Sequence, residues 1–260
     1  MPWRAQFLKQ HRRITAGPLV WQMLAPRPAS REHPEIRAEK RKLSSEAQQR
    51  MNVKYSWQKL MFRLAANFVP GDLVVTLTYD DDHLPKDLAE ARKRLKRFRE
   101  RMAKSRRQRG RVFTAVYATE HLHGSGRPSE DGRWHHHLVI NATGDDYREI
   151  LGAWPYGSSV EIHRLELTEK RTYETLARYM AKERAETVNT HVWGCTRNCR
   201  HAETECRNVP DDWTMKVPET AVHVSREVKM TEFGTFEIVK YLDTSPAALR
   251  RQRPKTGRRR

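Results

Sequence analysis

The sequence has no apolar run near the length of about 18 residues that a membrane-spanning helix requires. Its first residues, MPWRAQFLKQHRR, carry charge with no apolar stretch behind them, so they do not read as a secretory signal. Cysteine is scarce: the three present, Cys195, Cys199 and Cys206, lie in one short segment. An odd, clustered set argues against a secreted disulfide framework and points to a reducing cytoplasm. No glycine-rich lysine loop of the kind that cradles a nucleoside triphosphate is present, which excludes a motor within the chain. No internal repeat is visible. Negative charge is also short: 32 Asp+Glu face 50 Lys+Arg, a formal net charge of +18 over 260 residues. Such an excess repels itself unless a polyanion is near, so nucleic acid is the expected partner. A membrane surface is not expected, because the basic segments lack the broad apolar face of an interfacial helix.

Residues 1–54 are poor in periodic apolar positions and contain Pro18, Pro26, Pro28 and Pro34, the composition of a flexible basic arm with a helix beginning near Ile36. Residues 55–188 hold the regular pattern. Helical spacing at Leu60, Met61, Leu64 and Ala65 stops at Pro70-Gly71. The β-branched run LVVTLTY, residues 73–79, reads as a central strand. The stripe Leu88, Ala91, Leu95, Phe98, Met102 predicts a helix from about Asp87 to Gln108. Its other faces are basic, with twelve Lys or Arg between Arg92 and Arg111. Strands at Val112 to Glu120 and Trp134 to Ile140 form a hairpin across a polar Gly/Ser/Pro loop. A short helix near Ile150, a strand from Val160 to Leu167 and a helix capped by Thr168 and reaching about Ala185 follow. This order predicts an α+β fold, a ferredoxin-like antiparallel sheet with helices on one face. Residues 189–248 form a small extension that holds the cysteines and ends in a hairpin of AVHVSREV and FGTFEIVKYL. Residues 249–260 read as a disordered basic tail.

The chemistry starts at Trp134-His135-His136-His137. Side chains alternate across a strand, so His135 and His137 share a face while His136 takes the other. Two imidazoles at such positions can chelate one ion, and Glu120, near the end of the partner strand, can add a hard oxygen ligand. A two-nitrogen, one-oxygen site leaves positions open for phosphate oxygen and water. Three adjacent histidines also arise by chance on half-buried strands; the flanking glutamate and the basic chain give this set its weight. Tyr179 and Lys182, three apart on the last predicted helix of this region, share a face. A phenol with a pKa of about 10 is a poor nucleophile near neutrality. A nearby ammonium and a metal-polarised phosphate make its attack feasible. Tyr173 is the other candidate, without a lysine three positions on, and reads as core or as a stacking surface.

For nucleic acid, Arg92, Lys93, Lys96 and Arg97 offer a positive track, and Arg133 and Arg178 flank the candidate site. Trp134 is a candidate stacking surface, as are Trp154, Tyr156 and Tyr147, although core packing is the commoner use of such rings. Cys195, Cys199, His201 and Cys206 are a candidate structural zinc set. Their spacing lacks a close Cys-x2-Cys knuckle, and free thiols or a redox pair stand as alternatives.

Taken together, these motifs resemble the HUH endonuclease superfamily, and within it the rolling-circle replication initiator (Rep) proteins of bacterial plasmids and single-stranded DNA phages. Val74-Val75-Thr76-Leu77-Thr78-Tyr79 resembles the first family motif, Gly132 to His137 the second, and Tyr179 with Lys182 the third. The resemblance spans roughly residues 60–185. It implies an HUH endonuclease domain at 55–188, with Glu120, His135 and His137 holding Mg2+ or Mn2+. Tyr179, assisted by Lys182, would attack a phosphodiester of single-stranded or hairpin origin DNA, leaving a 5′-phosphotyrosine link and a free 3′-hydroxyl before strands are rejoined. Helicase and polymerase would come from the host. With one candidate tyrosine, closing a circle calls on a second protomer of a homodimer, on water or on another nucleophile. His136 departs from the family, which has a hydrophobic residue there; a shifted register would instead make it the ligand. A one-tyrosine transposase, a conjugative relaxase and a non-catalytic nucleic-acid-binding protein are the alternative readings. Relaxases commonly carry a third histidine and an early nucleophile, which this order of residues does not match.

Overall fold

The computed structural model describes residues 9–26, 45–122, 133–168, 170–181, 193–231 and 234–252, with backbone alone at 45–50 and 122. The predicted helix start near Ile36, the loop that includes Gly132, Lys182 with the expected end of the tyrosine helix, and residues 253–260 lie outside them. Two compact units divide the chain, one built on Met1–Asn52 with His201–Arg253, the other on Val53–Arg200 with Pro254–Arg260. Among the described residues no helix is long and apolar enough to cross a membrane.

The first unit is a five-stranded sheet of β1 (Lys9–Ala16), β2 (Leu19–Pro26), β8 (Glu203–Val209), β9 (Ala221–Thr231) and β10 (Gly234–Asp243). Its order is β8-β1-β2-β10-β9, and every neighbouring pair is antiparallel. The expected flexible arm is therefore corrected over residues 9–26. Gly17, at φ 58°, sits in the tight turn between β1 and β2, where its freedom at positive φ is used. Val20 and Leu24 bury against Val209, Met215, Val239 and Tyr241. Their partners come from the far end of the chain, so no local pattern announces them. The expected terminal hairpin is present as β9 and β10, and α5 (Pro246–Arg251) places the first residues of the predicted tail in a helix.

The second unit holds the sheet β6-β3-β5-β4-β7, again antiparallel at every described pairing. Its strands are β3 (Leu73–Leu77), β4 (Ala115–Leu122), β5 (Arg133–Ile140), β6 (Val160–Arg164) and β7 (Trp193–Cys195). Its helices are α1 (Ser45–Asn67, from Val53 onward), α2 (Leu88–Gln108), α3 (Asp146–Ala153) and α4 (Tyr173–Met180). Alternation along β3 sends Leu73, Val75 and Leu77 to one face, where Leu95, Phe98 and Met102 of α2 and Ile150 and Ala153 of α3 cover them. Each buried Val, Leu, Ile, Phe or Met there contributes roughly 1.5–3 kcal/mol. The two crossover helices share this face as expected, but not all helices do. Tyr179 of α4 packs on His137, which faces the other way, and Trp193, on that same side, hydrogen-bonds Ser56 of α1. The expectation of helices on one face is corrected: they flank both.

Between α2 and α3 lies an ion-pair network. Arg106, fully buried, reaches Asp146 at 3.0 Å and Glu149 at 3.1 Å, and donates to the Asn141 carbonyl at 2.7 Å. It is one of the twelve basic residues between Arg92 and Arg111, and at the carboxyl end of α2 it turns inward. Removing the guanidinium leaves two buried carboxylates without a counter-charge. Arg106→Ala is expected to destabilise this unit by about 3–5 kcal/mol, read from urea unfolding midpoints. Arg106→Lys is expected to recover only part, because the donors of a single ammonium nitrogen do not span the acceptors that the planar guanidinium reaches.

Candidate metal and nucleophile site

The register of β4 on β5 sets Glu120 opposite His135 and Ala118 opposite His137. Directly opposed residues point to one face, so Glu120, His135 and His137 lie together and His136 lies behind them. Glu120 is fully buried, with Oε2 at 3.1 Å from His137 Nε2. On the other side of β5, Thr76 of β3 stands opposite His137, and its Oγ1 is 3.3 Å from Nδ1. Both nitrogens of His137 are thus engaged, which fixes the plane of its ring. His135 is half-buried, and burial followed by the charge of His137 lowers its pKa, so it is held as a neutral base.

Among the described residues, no group of three or more His, Cys, Asp or Glu side chains is gathered to hold a metal ion. The structure brings together the Glu120–His137 pair and sets His135 beside it on the same face. As a donor set, two imidazole nitrogens and one carboxylate fit a divalent cation, the mixed nitrogen and oxygen character suiting Mn2+ better than Mg2+.

α4 begins at Thr172, whose side chain accepts from Thr175 N in a capping box with Thr175. The predicted cap at Thr168 is therefore corrected by four positions. From this start, Tyr173, Ala177 and Met180 turn inward and Tyr179 falls at the edge, 47% exposed. Its ring meets that of His137 edge-on, centroids 5.0 Å apart at 71°. Tyr173 is core: its hydroxyl donates to the Phe68 carbonyl at 2.7 Å. Burial, and then the charges of Glu120 and Glu161, push the Tyr179 phenol above its ordinary pKa. Turning it into a nucleophile therefore needs positive charge nearby.

His136, the residue that departs from the expected motif, is fully buried. Tyr79 Oη lies 2.6 Å from its Nε2 and Thr119 Oγ1 3.0 Å from its Nδ1. Burial lowers its pKa to about 3, so it is a neutral core residue with both nitrogens satisfied. The shifted-register alternative falls, since His136 stands on the face covered by Trp154.

The expected DNA-contacting residues separate into two groups. Arg92, Lys93, Lys96 and Arg97 are exposed on α2, on the opposite side of the sheet from Tyr179. Trp134 joins that side, its ring 4.4 Å from that of His121. Arg133 alternates to the histidine face and pairs with Asp81. Arg178, beside Tyr179 in sequence, binds Glu174 at 2.8 Å and covers the Trp57 ring at 3.9 Å. Of the other aromatics, Trp154 is buried with its N–H on the Thr78 carbonyl, Tyr156 is half-buried under Arg94, and Tyr147 is exposed. The proposed zinc set is divided between the two units. All three cysteines are free, and Cys195 and Cys199 hydrogen-bond one another, which lowers the Cys195 thiol and raises Cys199. His201 and Cys206 belong to the other unit. Sequence reading missed Thr76 and Glu161 as residues of the site. The signal for Thr76 was available: it is the polar alternate position within LVVTLTY.

Paired histidines and a carboxylate share one face of this sheet, with a tyrosine helix lying on it, and the family match over residues 72–184 supports assigning that stretch to the HUH/Rep superfamily. The family model that those residues match is that of replication-associated protein ORF2/G2P. No curated protein and no solved structure matches the chain.

Tyr79→Phe is expected to cost about 1–3 kcal/mol, because it strands a buried imidazole nitrogen. Adding His136→Leu to it should cost less than the sum of the two single changes, as measured in a double-mutant cycle of unfolding free energies.

Proposed function

We propose that the chain is a rolling-circle replication initiator that nicks single-stranded or hairpin origin DNA by tyrosine attack and later rejoins strands. The observation that carries the reading is the seat of Tyr179, 5.0 Å from His137 over the face that also bears Glu120 and His135. The order β6-β3-β5-β4 is that of a ferredoxin-like sheet with β7 added at its edge, which supports 55–188 as the endonuclease domain.

Glu120, His135 and His137 would hold the cation, Mn2+ or Mg2+, with Thr76 steering the His137 ring. When bound, a divalent cation supplies Lewis-acid polarisation of the scissile phosphate and offsets the carboxylate charge that adds to burial in keeping the phenol protonated. Tyr179 Oη forms a bond to phosphorus as the bond from phosphorus to the 3′-oxygen breaks. The phenolic proton ends on that 3′-oxygen, directly or through water. Products are a 5′-phosphotyrosine link and a 3′-hydroxyl that a polymerase can extend. Lys182 is proposed to stabilise the charge of this step. Host helicase and polymerase complete the reaction in the cytoplasm, and a homodimer would supply the second tyrosine needed to close a circle. On this reading the exposed basic residues of α2 hold DNA away from the scissile phosphate.

The test uses labelled single-stranded oligonucleotides tiled across the DNA that carries the gene, with adducts resolved on denaturing gels. One tile should give a covalent adduct in Mn2+ or Mg2+ and none after chelation. Tyr179→Phe should abolish it, and His137→Ala should lower its rate by about 100-fold or more. An adduct that survives Tyr179→Phe would remove Tyr179 from the role.

A further inference from the structure

Beside the site, β3, β6 and α4 enclose a half-open cavity of about 490 Å3. Its floor is apolar, made by Val74, Leu165 and Leu176, and Tyr179 forms one wall. Its rim is polar and mixed in charge: His163 stands opposite Val74 and so shares its face, and Arg171 stands 3.9 Å from Glu166, which also lines the cavity. Val74 lies two residues along β3 from Thr76, the residue that touches His137, an interval of about 7 Å and comparable with one step of an extended nucleotide chain. An apolar slot with one aromatic wall and a polar lip that includes Arg171 suits a planar base with its phosphate outside.

We propose that this cavity receives the nucleobase immediately 3′ of the scissile phosphate, the nucleotide that stays joined to Tyr179 through its 5′-phosphate. The inference rests on the strand-transfer reading above and adds to it a seat for one base. Displacement at phosphorus is in line, so the departing 3′-oxygen leaves on the side opposite the phenol. The strand carrying that oxygen is directed away from α4, whereas the retained nucleotide remains against the Tyr179 ring and the cavity that ring bounds. Arg171 then meets the next phosphate on the retained strand. Leu176 and Val74 act as positioning residues by holding the base, and with it the phosphate, at a set distance from Tyr179.

The experiment takes the oligonucleotide that yields the adduct and replaces one nucleotide at a time by an abasic tetrahydrofuran residue, using the unaltered protein. Loss of the base just 3′ of the cut should slow adduct formation about tenfold or more, and loss of the base just 5′ should slow it several times less. Leu176→Trp, which fills the slot, should bring the ratio of intact to 3′-abasic cleavage rates close to one. A larger loss at the 5′ base, equal losses at both, or an intact ratio in Leu176→Trp would overturn the assignment. Failure of every tile to form an adduct is a different result, and removes the strand-transfer reading on which the seat depends.

Discussion

The pairing register of β4 on β5 is the constraint on which the site depends. With Glu120 opposite His135, alternation gathers Glu120, His135 and His137 on one side and sends His136 to the other. A slip of one residue would invert every side chain of β5, burying His135 and His137 in the apolar layer and presenting His136 alone. The register is held from the dry side. Leu138 and Ile140 pack into the cluster under α2 and α3, and His136 is clamped between Tyr79 and Thr119. A polar residue in the core thus serves the opposite face, because its two hydrogen bonds can be satisfied together in only one alignment of β3, β4 and β5.

The same sheet divides its labour by face. Toward α2 and α3 it is apolar, closed by the Arg106 network. Toward α1 and α4 it gathers titratable groups, and their mutual electrostatics set what each can do. Burial and the adjoining imidazole keep His135 neutral and able to donate a lone pair. Burial first, and then Glu120 and Glu161, oppose ionisation of Tyr179. On the proposed chemistry this arrangement links nucleophile to cofactor: countering the carboxylate charge lifts one of the influences, second to burial, that keep the phenol protonated.

Much of this was legible in strands and helices whose pattern is local. The stripe from Leu88 to Met102, with Asp87 accepting from Glu90 N, marks α2 correctly at both ends, and the alternation of His135, His136 and His137 foretells their faces. The cap of α4 was misplaced because Thr168 and Thr172 are equally good residues for it, and only Thr175 three positions on completes a box at the second. The hairpin of β1 and β2 was not legible at all. Its apolar residues pair with β8 and β10, from the distant end of the chain, so the segment on its own resembles a proline-broken arm. The faces chosen by α1 and α4 were equally hidden, since strand order does not say on which side a helix outside the crossovers will settle.

That choice of face bears on how charge is used. α2 presents its exposed Arg92, Lys93, Lys96 and Arg97 on the side of the sheet away from Tyr179, with the sheet and its apolar layer between. Screening cuts the influence of exposed charges beyond about 8 Å at physiological salt. These residues therefore cannot stabilise charge developing at the phosphate under attack, however many there are. On the Tyr179 side stand Arg171 at the cavity rim and, on the proposed function, the ion that the imidazole–carboxylate face would hold. On the proposed function the abundant charge governs capture of the polyanion and its dependence on salt, while the rate of the chemical step rests with a few groups placed by β3, β5 and α4.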